Sequence, residues 1–492
     1  MTSYRNFIGG DFVLSSAQEK TPNQNPADTR DVLGEVPLST REEARQAIQT
    51  AAAAYDEWRA RPAPVRGGIV LRAAQLLSDD REDVARLLSR EEGKTLSEAR
   101  GEIQRSINVL EFNASQARRM NGETVPSELK NNFIYTVRQP LGVVGVITPW
   151  NFPVAIPVWK IAPALVAGNT VVFKPATLTP ATATRVVEIF AEAGIPKGVL
   201  NMVLGSGSTV GDEIVCHPQV SAVSFTGSNG VGMRLYEQGS RRGLRVQCEM
   251  GGKNPVIVLE DADLDLAVEA TVQGAFGSAG QRCTATSRAV VVNAIADVFV
   301  EKLVARTKSL RLGRGDDPET DVGPVVDRNQ FDTVLGYLRT GREEGAELVL
   351  GGGKADGADF ERGYFIEPTI FDGTTPQMRI VKEEIFGPVL CIQRVEDFEE
   401  GLRVANDVPY GLTSSLFTQD TSKVFRFVEA IETGITHINS PTTGGEAHVP
   451  FGGIKATGIG DREQGSTTLD FYTDLKVVYI DYTGTKRTGN LY

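Results

Sequence analysis

Cysteine and histidine are scarce in this sequence. Among 492 residues there are three histidines and four cysteines, which are Cys216, Cys248, Cys283 and Cys391. Because no two of these cysteines have the C-x-x-C spacing, the pattern argues against a zinc knuckle and against a disulfide framework. The few histidines argue equally against a His-rich metal site, so we expect no metal ion.

Long apolar runs are missing as well. The most apolar stretch, residues 141–147, has the length of one strand, whereas a membrane-spanning helix needs roughly 18 or more apolar residues. The first ten residues contain no apolar signal-peptide core. We therefore expect a cytoplasmic protein without a membrane partner.

An excess of basic charge is the third missing feature. The 51 Lys and Arg residues are outnumbered by 63 Asp and Glu residues, which gives a formal net charge of −12. Such a balance excludes a broad basic surface, and with it nucleic acid as the default partner.

The apolar pattern that is present predicts an α/β fold. Strand-length apolar runs alternate with helical segments over residues 143–247 and again over 255–435. This alternation is typical of parallel sheets with helices on both faces. Helical segments also precede these runs, and Ser39 with Glu42 fits a capping box before them. The preceding helical segments are residues 42–59, 65–89 and 97–118.

Two strand-like segments stand apart from this alternation. They are residues 121–141 and 469–482, the second including Phe471 and Tyr472. Isolated edge strands of this kind often pair with each other or across subunits.

Cys283 and Glu249 are the leading candidates for chemistry. Arg282 precedes Cys283, and a neighbouring cation lowers the pKa of a thiol. Glu249 ends an apolar run before two glycines, where α/β enzymes place ligand groups; burial there would raise its pKa toward that of a general base. Taken alone, each residue also fits a structural role, as a packed cysteine and as a solvated loop carboxylate. We expect the other three cysteines to serve packing.

No glycine motif matches the usual dinucleotide fingerprint. Residues 205–211 have the spacing G-x-G-x-x-x-G, which is one residue too long. Residues 225–230 are better placed, because they end a strand and begin a helix whose amides would face a phosphate. Asn151, Lys174 and Glu384 also follow apolar runs, although the Pro and Gly residues beside each of them fit an ordinary turn equally well.

The joint order of seven short blocks decides between these interpretations. Over nearly the whole chain it resembles the aldehyde dehydrogenase family. The blocks are residues 148–153 (TPWNFP), 173–175 (FKP), 225–228 (FTGS), 249–253 (EMGGK), 280–283 (GQRC), 384–388 (EIFGP) and 450–453 (PFGG).

The resemblance implies an α/β fold with three parts: a Rossmann-type cofactor domain, an α/β catalytic domain and a small β bridging element for oligomerisation. It also implies a homodimer or homotetramer. The expected boundaries are 1–120 and 142–251 for the dinucleotide-binding domain, 252–455 for the catalytic domain, and 121–141 and 469–492 for the oligomerisation strands.

The resemblance further implies NAD(P)-dependent oxidation of an aldehyde to a carboxylic acid. Cys283 would attack the aldehyde, Asn151 would hold the oxyanion, and Glu249 would activate the water that hydrolyses the thioester. The expected cofactor-binding residues are Ile147, Thr148, Pro149, Trp150, Lys174, Thr177, Gly207, Phe225, Thr226, Gly227, Ser228, Val231, Met250, Gly251, Glu384 and Phe386. The expected substrate-binding residues are Phe152, Trp159, Arg282, Thr284 and Phe451.

Two departures from the family pattern refine the expected ligands. Thr177 stands where NAD-preferring members often have a Glu, so the 2′-phosphate of NADP meets less electrostatic repulsion here. We therefore expect NADP to be accepted as well as NAD, with a preference for NADP left open. Arg282 stands where many relatives are uncharged, and it suits a small anionic aldehyde, for which Gly444 and Gly445 would leave room.

The expected substrate is 2-oxoglutarate semialdehyde (2,5-dioxopentanoate), from the resemblance of residues 441–444, 462–465 and 469–472. Glyceraldehyde 3-phosphate stays an alternative because of Arg282, and succinate semialdehyde is disfavoured by Trp159, where its enzymes carry an Arg. Two alternatives belong to other classes. They are a CoA-acylating enzyme, against which Glu249 argues, and a cysteine hydrolase with a base at His217, His437 or His448.

Overall fold

The computed structural model describes residues 3–484, so residues 485–492 of the expected C-terminal segment lie outside the described residues. The helices of the described part are α1 (Arg41–Ala60), α2 (Ala63–Asp79), α3 (Arg81–Glu92), α4 (Leu96–Gln116), α5 (Ala155–Ala167), α6 (Pro180–Glu192), α7 (Asp212–Cys216), α8 (Asn229–Ser240), α9 (Leu264–Phe276), α10 (Asn293–Lys308), α11 (Arg328–Glu343), α12 (Arg379–Lys382), α13 (Phe398–Asn406), α14 (Thr421–Ala430) and α15 (Thr468–Tyr472).

The strands of the same part are β1 (Asn6–Ile8), β2 (Asp11–Val13), β3 (Lys20–Asn25), β4 (Asp28–Pro37), β5 (Thr124–Val125), β6 (Asn132–Pro140), β7 (Val143–Ile147), β8 (Thr170–Lys174), β9 (Leu200–Met202), β10 (Val220–Thr226), β11 (Arg245–Glu249), β12 (Asn254–Val258), β13 (Thr286–Val292), β14 (Glu347–Leu350), β15 (Thr369–Asp372), β16 (Val389–Val395), β17 (Tyr410–Gly411), β18 (Thr413–Phe417), β19 (Ile435–Ile438), β20 (Ile454–Lys455), β21 (Gly458–Ile459) and β22 (Thr473–Asp481).

The first sheet has the strand order β2-β1-β9-β8-β7-β10-β11-β21, and its five central strands are parallel. One apolar core packs α2 to α6 against one face, and a second packs α1, α7 and α8 against the other. The register pairs Ile147 with Lys174 and with Phe225, and Thr226 with Glu249. Since parallel strands end at one edge, these four strand ends meet there.

The second sheet has the order β14-β15-β16-β13-β12-β18-β19 and is parallel except for β14. Its strand β12 begins five residues after Glu249, and β13 begins three residues after Cys283. Helix–strand alternation on both sides of residue 250 is therefore confirmed, whereas the domain boundaries stay a prediction.

The two isolated segments pair with each other, as predicted. Strand β22 runs antiparallel to β6 from Thr473 opposite Pro140 to Asp481 opposite Asn132. The strand prediction is wrong for residues 469–472, which form the short helix α15. Its side chains Leu469, Phe471 and Tyr472 are buried in the first apolar core, so tertiary packing overrides their strand preference.

Two further details correct the predictions from the sequence. The capping box is one residue later than expected, with Thr40 and Glu43, because the Ser39 hydroxyl accepts a hydrogen bond from the Asn6 amide instead. The predicted helix over 65–89 breaks at Asp80, whose carboxylate accepts a hydrogen bond from Arg185 of α6.

No helix within residues 3–484 combines the length and the apolar character that a bilayer crossing requires.

Candidate active site

A cavity of about 490 Å³ opens where the strand ends of the first sheet face the start of β13. All sixteen residues predicted to bind a cofactor line it, together with Asn151, Glu249 and Cys283. Of the five predicted substrate residues, Trp159 and Phe451 line it. The structure therefore brings together residues that are up to 304 positions apart in the chain, from Ile147 to Phe451.

A strained turn positions Cys283. Before it, Ser278 and Ala279 have φ values of 52° and 53°, which are left-handed and unfavourable for residues with a Cβ. Gly280 also has a positive φ, and a Cβ there would lie 2.1 Å from the Gly387 carbonyl oxygen. After the turn, the Asn254 amide donates to the Cys283 carbonyl at 2.8 Å. The backbone around the thiol is thus held from both sides.

The Cys283 thiol is protonated at neutral pH in this state. Burial, with the nearby carboxylates Glu384 and Glu249, raises its pKa to about 12. This is the opposite of the lowered pKa predicted from Arg282. A thiol of this kind becomes a nucleophile when a base removes its proton as it attacks.

Glu249 is placed to be such a base. It ends β11, is 4% exposed, and its Oε2 has no hydrogen-bond partner among the described residues. Burial, and next the carboxylate of Glu463, raise the pKa of Glu249 well above its ordinary value. Lys160, which is ion-paired with Glu463, opposes the rise.

Asn151 supplies an amide beside the thiol. It lies in the turn between β7 and α5, and its Nδ2 donates to the Gln281 carbonyl at 3.0 Å. Since Gln281 is two residues before Cys283, this bond ties the Asn151 side chain to the cysteine turn. The second N–H of the amide is left for a ligand.

The cavity end near Lys174 offers polar groups without protein partners. The hydroxyls of Thr148 and Thr226 are buried, and no residue among 3–484 hydrogen-bonds them. Ser228 precedes α8 and lines the cavity, and its side chain makes no capping bond with that helix, so the first amides of α8 have no acceptor from it. Burial lowers the pKa of Lys174 to about 8, and Thr177 donates to the Gly205 carbonyl at 3.2 Å.

Glu384 and Phe386 form the wall near Cys283. Glu384 accepts a hydrogen bond from the Gly252 amide at 3.1 Å. A Cβ at Gly251 would lie 1.8 Å from the Glu384 carboxylate, which explains the glycine. Burial raises the pKa of Glu384 to about 7. Phe386 has a φ of 58°, and Gln330 donates to its carbonyl at 2.8 Å.

Arg282 does not line the 490 Å³ cavity, so its contact with the substrate stays a prediction. Its guanidinium makes an ion pair with Glu98 at 3.1 Å and donates to the Ser278 hydroxyl at 3.0 Å. Phe152 and Thr284 are not among the residues that line the 490 Å³ cavity either. The Phe152 ring lies under the Lys94 ammonium instead, and the Thr284 carbonyl accepts a hydrogen bond from Thr442.

Arg105 on α4 is the cation that the sequence interpretation missed. Its guanidinium donates to the Gln464 amide oxygen at 2.9 Å and lies 5.9 Å from the Trp159 ring. No carboxylate among the described residues is within ion-pair distance of it. Burial lowers the pKa of Arg105, and a negative charge on a Cys283 thiolate would offset part of that shift. Arg105 is therefore near enough to the thiol to interact electrostatically with it.

Arg105 does not line the first cavity; it lines a second one of about 600 Å³. Its neighbour Trp159 does line the first cavity, together with Phe451, and the centroids of those two rings are 5.6 Å apart. A Cβ at Gly445 would lie 3.2 Å from the Arg105 guanidinium, so the glycine predicted to make room for a substrate makes room for this arginine.

Other residues of the first cavity were also missed, because ordinary apolar or helical segments carry them and no local motif marks them. They are Ile156, Ala176, Leu178, Gly211, Arg234, Leu235 and Gln330.

The remaining cysteines and histidines play no visible part in this cavity. Cys248 and Cys391 are buried as predicted, but Cys216 is exposed, since it ends the five-residue helix α7 at the surface. His217, His437 and His448 do not line the 490 Å³ cavity. Within residues 3–484 no three His, Cys, Asp or Glu side chains are grouped closely enough to hold a metal.

The fold and this geometry define a class of protein. A groove at the strand ends of a parallel sheet, leading to a thiol, a carboxylate and an amide donor, is the site of an α/β enzyme that forms a covalent bond to its substrate.

Comparisons with known proteins identify the family. The chain matches the sequence model of the Aldehyde dehydrogenase family over residues 12–478. It is 45% identical over 478 residues to the alpha-ketoglutaric semialdehyde dehydrogenase of Bacillus subtilis, covering 97% of this chain and 98% of that protein. It is also 45% identical to the 2,5-dioxopentanoate dehydrogenase of Saccharolobus solfataricus, covering 97% and 99%.

A solved structure agrees with these relatives. The betaine aldehyde dehydrogenase of Staphylococcus aureus in complex with NAD+ superimposes with a TM-score of 0.95 at 36% identity, covering 98% of this chain and 95% of that one. The chain belongs to the aldehyde dehydrogenase family, and the protein is an aldehyde dehydrogenase.

Proposed function

We propose that this enzyme oxidises 2-oxoglutarate semialdehyde to 2-oxoglutarate with NADP or NAD. The observation that carries the choice of an anionic substrate is Arg105, a cation without a carboxylate partner among the described residues. The semialdehyde named for the relatives from Bacillus subtilis and Saccharolobus solfataricus supports the particular aldehyde.

The proposed chemistry follows from three side chains. Cys283 attacks the aldehyde carbon while Glu249 takes the thiol proton, and the resulting oxyanion is held by the Asn151 amide and the Cys283 backbone N–H. When bound, a nicotinamide dinucleotide supplies a hydride acceptor for the substrate carbon, which leaves a thioester on Cys283. After Glu249 has released the thiol proton to solvent, it takes a proton from the water that attacks the thioester. The carbon–sulfur bond then breaks, which releases the acid and returns the thiolate to Cys283.

The residues of the cavity fit a dinucleotide. The unpartnered hydroxyls of Thr148 and Thr226 and the open N-terminus of α8 suit its polar linkage. Glu384 and Phe386 would hold the nicotinamide ribose and ring, and Lys174 the adenosine ribose. In the described cavity the carboxylates are Glu249 and Glu384, which both lie at the Cys283 end. A 2′-phosphate near Thr177 therefore meets no carboxylate, and we propose that NADP is accepted.

We also propose a homo-oligomer that uses the sheet of β22, β6 and β5. Large apolar side chains of β22 are exposed there, among them Leu475, Val477 and Tyr479, and exposed apolar patches mark interaction surfaces. A mass near 53 kDa by light scattering, which is that of one chain, would contradict this proposal.

The substrate proposal is tested with four aldehydes, by following the absorbance of the reduced nicotinamide. They are 2-oxoglutarate semialdehyde, succinate semialdehyde, glyceraldehyde 3-phosphate and pentanal, which is neutral. We expect the highest kcat/KM with the first aldehyde. A higher value for another anionic aldehyde would replace the proposed substrate, and a higher value for pentanal would remove the anionic class altogether.

Arg105→Met tests the observation itself, and Arg282→Met is its matched control. A charge-assisted hydrogen bond contributes about 1.5–3 kcal/mol, so Arg105→Met should lower kcat/KM about 50-fold for the anionic aldehyde and less than threefold for pentanal. Arg282→Met should leave the ratio between the two substrates unchanged, because Glu98 already pairs that guanidinium. Equal losses on both aldehydes in Arg105→Met would contradict the assignment.

A further inference from the structure

Three charged side chains are buried directly behind Asn151, and none of them lines the 490 Å³ cavity. Glu92, Lys94 and Glu102 are between 0% and 3% exposed. The Lys94 ammonium donates to Glu102 Oε2 at 2.6 Å and to the Asn151 backbone carbonyl at 2.7 Å. Glu92 Oε2 is 3.8 Å from the same ammonium. The chemistry described above uses none of these three groups.

The Lys94–Glu102 pair holds the turn between β7 and α5 at two points. Lys94 binds the Asn151 carbonyl in the middle of the turn. At its end, Glu102 Oε1 accepts hydrogen bonds from the backbone amides of Val154 and Ala155 at 2.9 and 3.0 Å. The N-cap residue of α5, Val154, has no capping side chain, so Glu102 from α4 satisfies the amides that a local cap would otherwise take.

Stability alone does not explain an ion pair at this depth. Moving two charges out of water costs several kcal/mol for each ion, and an apolar pair of similar volume is often as stable. An apolar pair, however, makes no hydrogen bond to a carbonyl oxygen or to two amides. What the Lys94–Glu102 pair adds is a fixed direction for the backbone on either side of Asn151.

Asn151 is thereby fixed at two atoms. Lys94 holds its carbonyl oxygen, and the Gln281 carbonyl accepts from its Nδ2 at 3.0 Å. A preorganised donor stabilises an oxyanion because no reorganisation is needed at the moment of reaction. A small rotation of the Asn151 backbone would move the free N–H of the amide away from the cysteine.

We propose that Lys94, paired with Glu102, is a positioning residue that fixes the Asn151 amide next to the Cys283 thiol. The inference rests on the proposed role of Asn151 as oxyanion donor. Lys94 acts through the Asn151 backbone and touches neither substrate nor cofactor.

The test compares three variants by the single-turnover rate of nicotinamide reduction. They are Lys94→Met/Glu102→Gln, Asn151→Ala and the triple variant. The double variant removes both charges, and the side-chain amide oxygen introduced by Glu102→Gln can still accept from the α5 amides, so the fold is expected to persist. We expect the rate to fall about 30-fold in the double variant and a few hundredfold in Asn151→Ala. The triple variant should be within twofold of Asn151→Ala, because Lys94 acts only through that residue.

Two controls separate positioning from general damage. Alkylation of Cys283 by iodoacetamide forms no oxyanion, so its rate should stay within twofold of the wild type in the double variant. Glu91→Gln is the matched variant: Glu91 is buried, accepts from the Ala181 and Thr182 amides of α6 in the same way, and has no hydrogen bond to Asn151. Its turnover rate should be unchanged. If the double variant is not recovered folded, Lys94→Met alone tests the same contact.

The outcomes are distinct. An unchanged rate in Asn151→Ala would remove the proposed role of Asn151, and the inference with it. A slow Asn151→Ala enzyme together with a double variant within threefold of wild type would overturn the inference alone. A further 30-fold loss in the triple variant, or a matching loss of alkylation, would show that Lys94 acts elsewhere and would overturn it as well.

Discussion

Two unlike walls surround the candidate active site, one that lines its 490 Å³ cavity and one that lies behind it. The strand-end wall consists of the residues at the strand ends of the first sheet and in the cysteine turn, such as Glu249, Thr226 and Cys283. The helix wall consists of charged side chains from the end of α3 and the start of α4, which are Glu92, Lys94, Glu98, Glu102 and Arg105. Both walls are largely buried, yet their polar groups are treated differently.

Several buried polar atoms of the strand-end wall lack hydrogen-bond partners among the described residues, whereas most charges of the helix wall are paired. Glu249 Oε2 and the Thr226 hydroxyl have no hydrogen bond within residues 3–484. By contrast, Lys94 pairs with Glu102, and Glu98 pairs with Arg282. A buried polar group without a partner lowers the stability of the protein but can bind a ligand. A buried group with a partner fixes the positions of the residues that it joins. Arg105 is the exception on the helix wall, which is why we assign it to the substrate.

Glu249→Gln should give the largest loss of activity. It distinguishes the two walls most clearly, because activity should fall while stability does not. The amide can take a proton neither from the thiol nor from the hydrolytic water, so kcat should fall about 1,000-fold, without a burst of nicotinamide reduction. The melting temperature should stay level or rise, because a buried charge beside Glu463 is removed. Stopped-flow absorbance and a thermal melt measure both. Joint loss of activity and stability would contradict the distinction between the walls.

Thr177→Glu should have an intermediate effect on the cofactor end of the strand-end wall. A carboxylate there would repel a 2′-phosphate, so the ratio of kcat/KM with NADP to that with NAD should fall about tenfold. Thr177→Gln has nearly the same size without the charge and should leave this ratio within twofold. An equal fall in both variants would mean that size rather than charge controls the cofactor.

Glu92→Gln tests the helix wall and should give the smallest effect, which is a change in the melting temperature. Burial raises the pKa of Glu92 from 4.5 to about 7, so the folded protein binds this proton more tightly than the unfolded chain does. The stability that this group contributes is full below pH 4.5 and is lost as the pH rises to about 7. The variant should therefore melt a few degrees higher than wild type at pH 8 and at the same temperature at pH 4.5. A difference that is independent of pH would refute the assignment.

The residues of the site that could be predicted are those that lie in a short sequence block at the end of a single strand. Cys283, Glu249 and Asn151 each lie in a short block whose order identifies the family, and every predicted cofactor residue lines the cavity. Arg282 does not line this cavity, because a position next to the thiol in sequence does not fix the direction of a side chain. Its partner, Glu98, is 184 residues away.

Local signals also failed wherever a distant contact competed with them. Ser39 is a residue type that often caps a helix, but its hydroxyl accepts a hydrogen bond from the Asn6 amide. The helix therefore begins one residue later. Residues 469–472 have strand-forming side chains, yet they fold as a helix because the first apolar core buries them.

The sequence by itself determined the class of fold, the family and the candidate reacting groups, because apolar periodicity and short strand-end blocks are local properties of the chain. Only the tertiary structure decided which arginine has no carboxylate partner among the described residues, what raises the pKa values of Cys283 and Glu249, and what holds Asn151. Those properties depend on burial and on contacts between residues far apart in the chain, such as Lys94 with Asn151, and these contacts exist only after the helices have packed against the sheet.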